Sequence, residues 1–452
     1  MTEAEPITMP TPILMPALSP DQQEGKLARW LVRAGDRVRA GDVIAEIEAD
    51  RSTMEIEATD DGTLVEILVP AGTLNVRAST PIALLNGVAV RVDGTGPETA
   101  GADADPVETG AAVPLAVGDE PASDGAFDHI TLREALRDAM AEEMRRDAGV
   151  FLIGEQVGEG GGAHKAGQGL IEEFGAGRVL DTPIATQGFA GLAIGAAMAG
   201  LRPVVEFMSW SFASQAVDQI VNSAAKTRYR SGGEMSVPVV FRGPDGASSR
   251  AAAQHSQCFA AWYAHVPGLK VVAPSTPADA KGLLKAAIRD PDPVLVLESE
   301  ALYAATGPVP RGEDVLVEIG RARIARPGRD VTIVGYGRAV TTALAAAELL
   351  AAEGIDAEVI DLRTLRPLDM ATVVYSVERT NRIVTVEEAW PVCSIGSEVC
   401  ARVAIEAFDH LDAPPAKVAG ADVPMPYAAN LERLALPDAA AVTAAVKAVL
   451  DV

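Results

Sequence analysis

Over residues 1 to about 90, apolar and polar positions alternate with a period of two, in short runs broken by glycine. That pattern predicts strands rather than helices. One block recurs: Glu24-Gly25-Lys26-Leu27…Trp30-Leu31-Val32…Gly35 returns as Asp61-Gly62-Thr63-Leu64…Ile67-Leu68-Val69…Gly72. Each copy runs on into another strand-like segment, IAEIE or IALLN. Two halves, each too short to bury a core alone, predict a small quasi-symmetric β sandwich or flattened barrel. Between the copies lies EIEADRSTMEIEA, in which Glu46-Ile47-Glu48 and Glu55-Ile56-Glu57 flank a short polar centre. Two strands joined by a tight turn are expected there, with Asp50-Arg51-Ser52 at the tip. On spacing alone, the simplest reading of that tip is a solvated turn.

From about 91 to 127 the periodicity lapses. The segment is rich in Gly, Ala, Pro, Asp and Glu, which predicts a flexible acidic linker. From Ile130 the period changes to that of a helix. Thr131-Leu132-Arg133-Glu134 has the form of a capping box. Leu132, Ala135, Leu136, Ala139, Met140 and Met144 make an apolar stripe behind it. Continuous apolar runs such as VFLIG, PVVEFM, VPVVFRG, LKVVAP and PVLVLES then alternate with helical segments. Strands that are apolar throughout belong to a mainly parallel sheet covered on both faces. Gly191, Gly195 and Ala199, spaced by four, predict a helix face that packs closely on a neighbour. DVTIVGYG, AEVIDL and RIVTVEE open a second α/β unit near Ile319, with the boundary expected in TGPVPRGED (306–314). The division expected is 1–90, a linker 91–127, 128–310 and 311–452.

Composition narrows the functional classes. The chain has 452 residues, enough for about three domains at roughly 150 residues each. A net charge of -25 argues against nucleic acid as a partner, because phosphates would be repelled. Cys258, Cys393 and Cys400 form no C-x-x-C pair, so neither a zinc knuckle nor a disulfide framework is indicated. Gly, Pro or charge interrupts every candidate for an apolar membrane span, and the acidic N-terminal stretch is unlike a transit peptide. A cytoplasmic chain with no membrane contact is expected.

Three places carry candidate chemistry. Glu155 follows a strand, where open parallel sheets bind ligands. His255 follows a strand and a Gly-rich loop, and a histidine there is either a general acid/base or a satisfied structural residue. Arg51 sits at the hairpin tip. The run Gly158-Glu159-Gly160-Gly161-Gly162 has neither a P-loop Lys-Ser/Thr nor a full G-x-G-x-x-G, so a mobile loop is expected.

The motifs DTPIATQGFAGLAIGAAMAGLRPVVEFM, SAAKTRY, VFRGPDGASSRAAAQHSQCFAAWY, GLKVVAPSTPADAKGLLKAAIRDPDPV and GADVPMPYA resemble those of the β subunit of the E1 component of pyruvate dehydrogenase. Residues 11–86 resemble a lipoyl domain. The resemblance implies a transketolase-like pyrimidine-binding α/β domain and a C-terminal α/β domain, preceded by a small all-β sandwich of lipoyl type. It implies an enzyme that uses thiamine diphosphate to decarboxylate a 2-oxo acid and reductively acetylate the lipoyl group of the E2 acetyltransferase. The wording of the motifs is closest to pyruvate, against acetoin or branched-chain substrates. The implied assembly is an α2β2 heterotetramer. Its E1 α subunit holds Mg2+ and the diphosphate, since no GDG with a suitably spaced Asn occurs here. Docking on the E2 subunit-binding domain is implied as well.

Carried over by position, Phe212 packs on the aminopyrimidine ring, with Ile184 and Met208 nearby. His255 faces the substrate, and Glu155 belongs to an acidic network between paired sites. Val239, Ala287, Ile288, Asp290 and Asp292 correspond to a potassium-binding loop. Two positions depart from the family. Its pattern I-[ST]-E-x-G-F-A-G reads Ile184-Ala185-Thr186-Gln187-Gly188-Phe189 here, so Thr186 replaces the carboxylate that activates the cofactor. A hydroxyl makes a hydrogen bond but does not shuttle a proton at neutral pH or offer a charge-assisted bond. The lipoyl pattern E-T-D-K-A-T-M-E reads Glu48-Ala49-Asp50-Arg51-Ser52-Thr53-Met54-Glu55, so Arg51 replaces the modified lysine. A guanidinium is a poor nucleophile, and the expectation is no lipoate on this chain. Together the departures open a second reading, a catalytically reduced subunit with a structural or regulatory role.

Overall fold

A computed structural model describes residues 11–15, 24–39, 41–49, 52–58, 62–74, 76–77, 80–87, 127–162, 164–247, 250–312 and 315–452. The chain divides into two compact units, Met1–Gly101 and Ala102–Val452.

The first unit is two four-stranded antiparallel sheets over one core. One runs Thr11–Leu14, Pro81–Gly87, Gly62–Ile67, Arg37–Val38; the other runs Ser52–Glu57, Val43–Ala49, Glu24–Trp30, Val76–Arg77. Leu27, Ile44, Ile47, Leu64, Ile82 and Leu85 fill the core from both sheets. The sequence repeat becomes a reciprocal exchange of backbone bonds. Gly35 N donates to Leu64 O and Gly72 N to Leu27 O, both at 2.7 Å. Both glycines have positive φ, +97° and +85°, a conformation that costs glycine little. The strands flanking Asp50 and Arg51 pair antiparallel, with Glu46 opposite Glu55 and Ala49 opposite Ser52. Asp50 and Arg51 themselves lie outside the described residues, as do 91–126 of the expected linker.

The second unit begins with Phe127–Thr131, paired to Thr306–Pro310. The expected capping box is present: Thr131 Oγ1 accepts from Glu134 N, and the Glu134 carboxylate accepts from Thr131 N at 2.8 Å. The helix Leu132–Arg146 buries its apolar stripe and packs on Pro277–Arg289. A seven-stranded sheet follows in the order 179–181, 150–154, 202–206, 240–245, 294–299, 270–272, 364–366. Its first six strands are parallel. The last, Thr364–Arg366, runs antiparallel and is lent by the C-terminal part of the chain. A second sheet runs Arg323–Arg326, Ala357–Asp361, Val331–Gly335, Ile383–Val386, Ala416–Val418, with only its first strand antiparallel.

Two local expectations change. A Cβ on Gly191 would stand 3.3 Å from Gln219 Oε1, so that glycine does pack closely. Gly195 faces open space, with nothing within 4 Å of its Cβ direction. The small-residue spacing is therefore only half used for packing within this chain. The glycine run is also tied down rather than free. Asp181 accepts from Gly158 N at 2.7 Å and from Glu159 N at 3.2 Å. Among the described residues no helix is long and apolar enough to cross a membrane.

Candidate active site

The parallel sheet ends on one edge at Gly154, Asp181, Glu206 and Asp245. Glu155 leaves the first of these strands. Its place is set by close backbone contact, because a Cβ on Gly154 would lie 2.5 Å from Glu206 O. Gln156 follows at φ +57°, and its carbonyl accepts from Gly162 N at 2.9 Å. Thr186 is the first residue of the helix Thr186–Met198 and is 4% exposed. Its Oγ1 stands 3.5 Å from Glu155 Oε1. The helix packs on the short turn Trp210–Ala213, which packs in turn on Ala252–His255. Across that contact the rings of Phe212 and His255 are 4.9 Å apart and tilted by 34°. Phe212 and Met208 are half-buried, His255 is exposed, and Ile184 stands 87% exposed.

The residues named from the motifs therefore form one open wall. A half-buried aromatic ring and a histidine face outward, a buried hydroxyl lies behind, and a carboxylate stands next to it. Three buried hydroxyl oxygens in this region have no hydrogen-bond partner among the described residues: Thr182 Oγ1, Ser211 Oγ and Ser256 Oγ. Thr182 N donates to Gly154 O, Ser211 adjoins Phe212, and Ser256 adjoins His255. Buried hydroxyls are seldom left unpaired, so their clustering here fits a wall that receives a polar ligand or ordered water.

Two neighbouring charge groups were missed at the sequence level. Arg242 is buried between carboxylates, paired to Glu298 through two 2.6 Å bonds and to Glu206 on its other side. Burial opposes the guanidinium's charge, but Glu298 and Glu206 outweigh it and hold the pKa well above the ordinary value. Tyr303 donates to Glu298 at 2.7 Å, and its ring lies 5.3 Å from that of His164 at a tilt of 38°, which ties the loop after Glu155 to this network. Asp245 ends the next strand and accepts from Phe259 N at 3.1 Å. Burial pushes its pKa up to about 6, against its hydrogen bonds from Cys258 and Phe259 N and with the help of Glu388.

The proposed potassium loop is drawn together around three cations of the chain itself, Arg202, Lys270 and Arg228, the last donating to the Asp292 carboxylate at 2.7 Å. Arg202 donates to Ile288 O at 2.9 Å and to Asp290 O at 3.3 Å. Lys270 holds the Asp290 carboxylate at 2.7 and 2.8 Å and lies 3.4 Å from Asp292. Val239 O accepts from Val294 N, and Ala287 O from Asp290 N. Each carbonyl accepting one bond keeps a second lone pair.

Comparison with known proteins identifies the domains. Residues 128–306 match the transketolase pyrimidine binding domain and 320–442 the transketolase C-terminal domain. Residues 11–85 match the family described as biotin-requiring enzyme. The chain is 56% identical to the pyruvate dehydrogenase E1 component subunit beta of Rhizobium meliloti (strain 1021), covering 98% of this chain and 99% of that one. It is 52% identical to the human mitochondrial E1 component subunit beta, over 72% of this chain and 91% of that one. Among solved structures it is similar to a split gene transketolase in an inactive beta4 tetramer, with TM-score 0.58 and 26% identity over 71% of this chain and 98% of that chain.

Proposed function

The chain belongs to the family of pyruvate dehydrogenase E1 component β subunits, and from that premise we propose how its own residues serve the reaction. With an E1 α subunit it takes part in the thiamine-diphosphate-dependent oxidative decarboxylation of pyruvate and the reductive acetylation of E2 lipoate. The observation that carries the residue assignment is the pairing of Phe212 with His255 beside Thr186 and Glu155, on the ligand-binding edge of the sheet. Phe212, with Met208 and the exposed Ile184, forms the wall for the aminopyrimidine ring. His255, exposed beside Phe212, is the group assigned to exchange a proton with substrate. The cofactor itself supplies the carbanion chemistry. Mg2+ and the diphosphate fall to the E1 α subunit in an α2β2 assembly, and an acidic chain of this charge suits a basic subunit-binding domain of E2.

Val239, Ala287, Ile288, Asp290 and Asp292 are retained as a potassium loop, with Arg202 and Lys270 already neutralising it. No lipoate is assigned to this chain, because Arg51 offers no nucleophilic amine. A cytoplasmic location is proposed on the similarity to a bacterial chain.

Reconstitution with the E1 α subunit, thiamine diphosphate and Mg2+, followed by pyruvate decarboxylation, tests the assignment. Turnover that collapses in Phe212→Ala and His255→Ala supports it. Thr186 favours the second reading, a subunit of reduced catalytic power, and turnover at the rate ordinary for such enzymes would dismiss that one.

A further inference from the structure

Resting on the functional reading above, we propose that Glu155 supplies the proton-holding carboxylate that position 186 lacks, acting on the pyrimidine ring of the cofactor through the Thr186 hydroxyl. Thr186 is then the group that touches the ring, and Glu155 is a positioning residue behind it.

Four observations carry this. The Thr186 hydroxyl is buried in the first turn of its helix, out of reach of bulk solvent as a proton source. Its side-chain partner is Glu155 Oε1 at 3.5 Å. That is long for an O–H···O bond, but such contacts are often loose before ligand binds and shorten in the complex. Among the described residues Glu155 meets no cationic side chain, so its carboxylate is not committed to an ion pair. Finally, Glu155 is held from both sides: by the Gly154 approach to Glu206 O, and by the Gln156 carbonyl that accepts from Gly162 N. Thr182 Oγ1, buried and unpaired next to the same strand end, leaves the polar cluster one bond short. Gln187 does not compete for the role, since it is exposed and an amide does not carry a proton at neutral pH.

The proton count closes within the two side chains. With the cofactor bound, the Glu155 carboxyl would give a proton to the Thr186 oxygen while the Thr186 hydroxyl would donate its own proton toward the pyrimidine ring. The reverse transfer restores both groups, and nothing is oxidised or reduced.

The test uses the full chain assembled with its E1 α subunit, Mg2+ and thiamine diphosphate, with no pyruvate. Exchange of the thiazolium C2 hydrogen in D2O is followed by proton NMR after acid quench, across pH, alongside cofactor affinity by calorimetry. Glu155→Gln and Thr186→Val should each slow exchange by about 10²-fold or more. The two together should cost little beyond either alone, with affinity changed only a few-fold. Glu155→Gln should also flatten the acidic limb of the pH profile, which a merely structural role would leave in place. Thr186→Glu should raise exchange and make Glu155→Gln nearly silent. Wild-type exchange in Glu155→Gln, or an equal loss in the Thr186→Glu background, would overturn the proposal. An assembly that binds no thiamine diphosphate would instead overturn the functional reading, and this assignment with it.

Discussion

The guanidinium of Arg242 lies against the carboxylate of Glu298 through two parallel 2.6 Å hydrogen bonds, with both side chains buried. Glu206 closes on the other side, and Tyr303 caps Glu298. The cluster joins three adjacent strands of the parallel sheet directly behind Glu155. A buried ion pair is weak evidence for net stability, because desolvation offsets attraction. Breaking it is another matter.

Arg242→Met should therefore destabilise the chain strongly. It leaves Glu206 and Glu298 buried without their cation, a situation that costs about 3–5 kcal/mol. The expected outcome is a clear drop in the urea midpoint, read by fluorescence. An unchanged midpoint would show that water or protonation relieves the two carboxylates. Arg242→Met combined with Glu298→Leu should lose less than the sum of the single changes, since the second substitution removes a stranded charge.

Asp245 predicts a dependence on pH. Its folded pKa, about 6, lies above the ordinary value of 3.8. The fold thus favours the protonated form. That contribution is complete below the ordinary value and is lost as pH rises through about 6. Asp245→Asn keeps an oxygen for Phe259 N and has no charge to bury. It should be more stable than wild type at pH 8 by about 1–3 kcal/mol, and equal to it near pH 4. Glu388, raised by burial although Arg338 pairs with it at 2.9 Å, acts in the same direction and leaves some pH dependence in the variant. Tyr336, Tyr263 and Cys258 also face this group, and burial pushes each of them upward, so they remain neutral over the range. Thermal melts at the two pH values decide it; a variant less stable at pH 8 would refute the sign.

Much of this was legible in the chain. The repeat around Gly35 and Gly72 foretold two halves, because the same turn must supply the same backbone donor twice. The Thr131 and Glu134 pair foretold a helix start, since capping is local. Phe212, His255, Thr186 and Glu155 were found through motifs, and the sheet edge brings them onto one wall. What the sequence hid depends on which strands become neighbours. Arg242 meets Glu206 and Glu298 from 36 and 56 residues away. The Thr364–Arg366 strand, likewise, joins a sheet it does not belong to by order in the chain. Gly195 illustrates the converse: small residues at a spacing of four look the same whether the face is packed or open.

Potassium should strengthen the chain only slightly. Arg202 already occupies one lone pair on Ile288 O and on Asp290 O, and Lys270 already neutralises Asp290. A bound metal adds charge to oxygens that have cationic partners. Exchange of potassium for tetramethylammonium, an ion too large for such a loop, is expected to lower the melting temperature of the assembled enzyme by only a few degrees. Loss of folding on removal would mean that potassium, rather than Arg202, Lys270 and Arg228, organises the loop.

The hairpin at Arg51 makes the most direct prediction. Its two strands pair in register up to Ala49 opposite Ser52, and Ile44, Ile47 and Ile56 anchor them in the core of the first unit. A carrier module needs that support and one more thing, a primary amine at the tip that can form an amide. Lys26, the single lysine of residues 1–90, lies instead in the strand Glu24–Trp30. The scaffold is thus in place while the nucleophile is absent. Arg keeps its proton and delocalises its charge, so it does not substitute. Intact-mass measurement of the full chain expressed with an active lipoate ligase should find no lipoyl group on the wild type and one on Arg51→Lys. A lipoyl group on the wild type would refute the chemical argument. No modification of a well-folded Arg51→Lys would mean instead that neighbouring residues, such as Ala49 in place of the family's threonine, have also lost what the ligase reads.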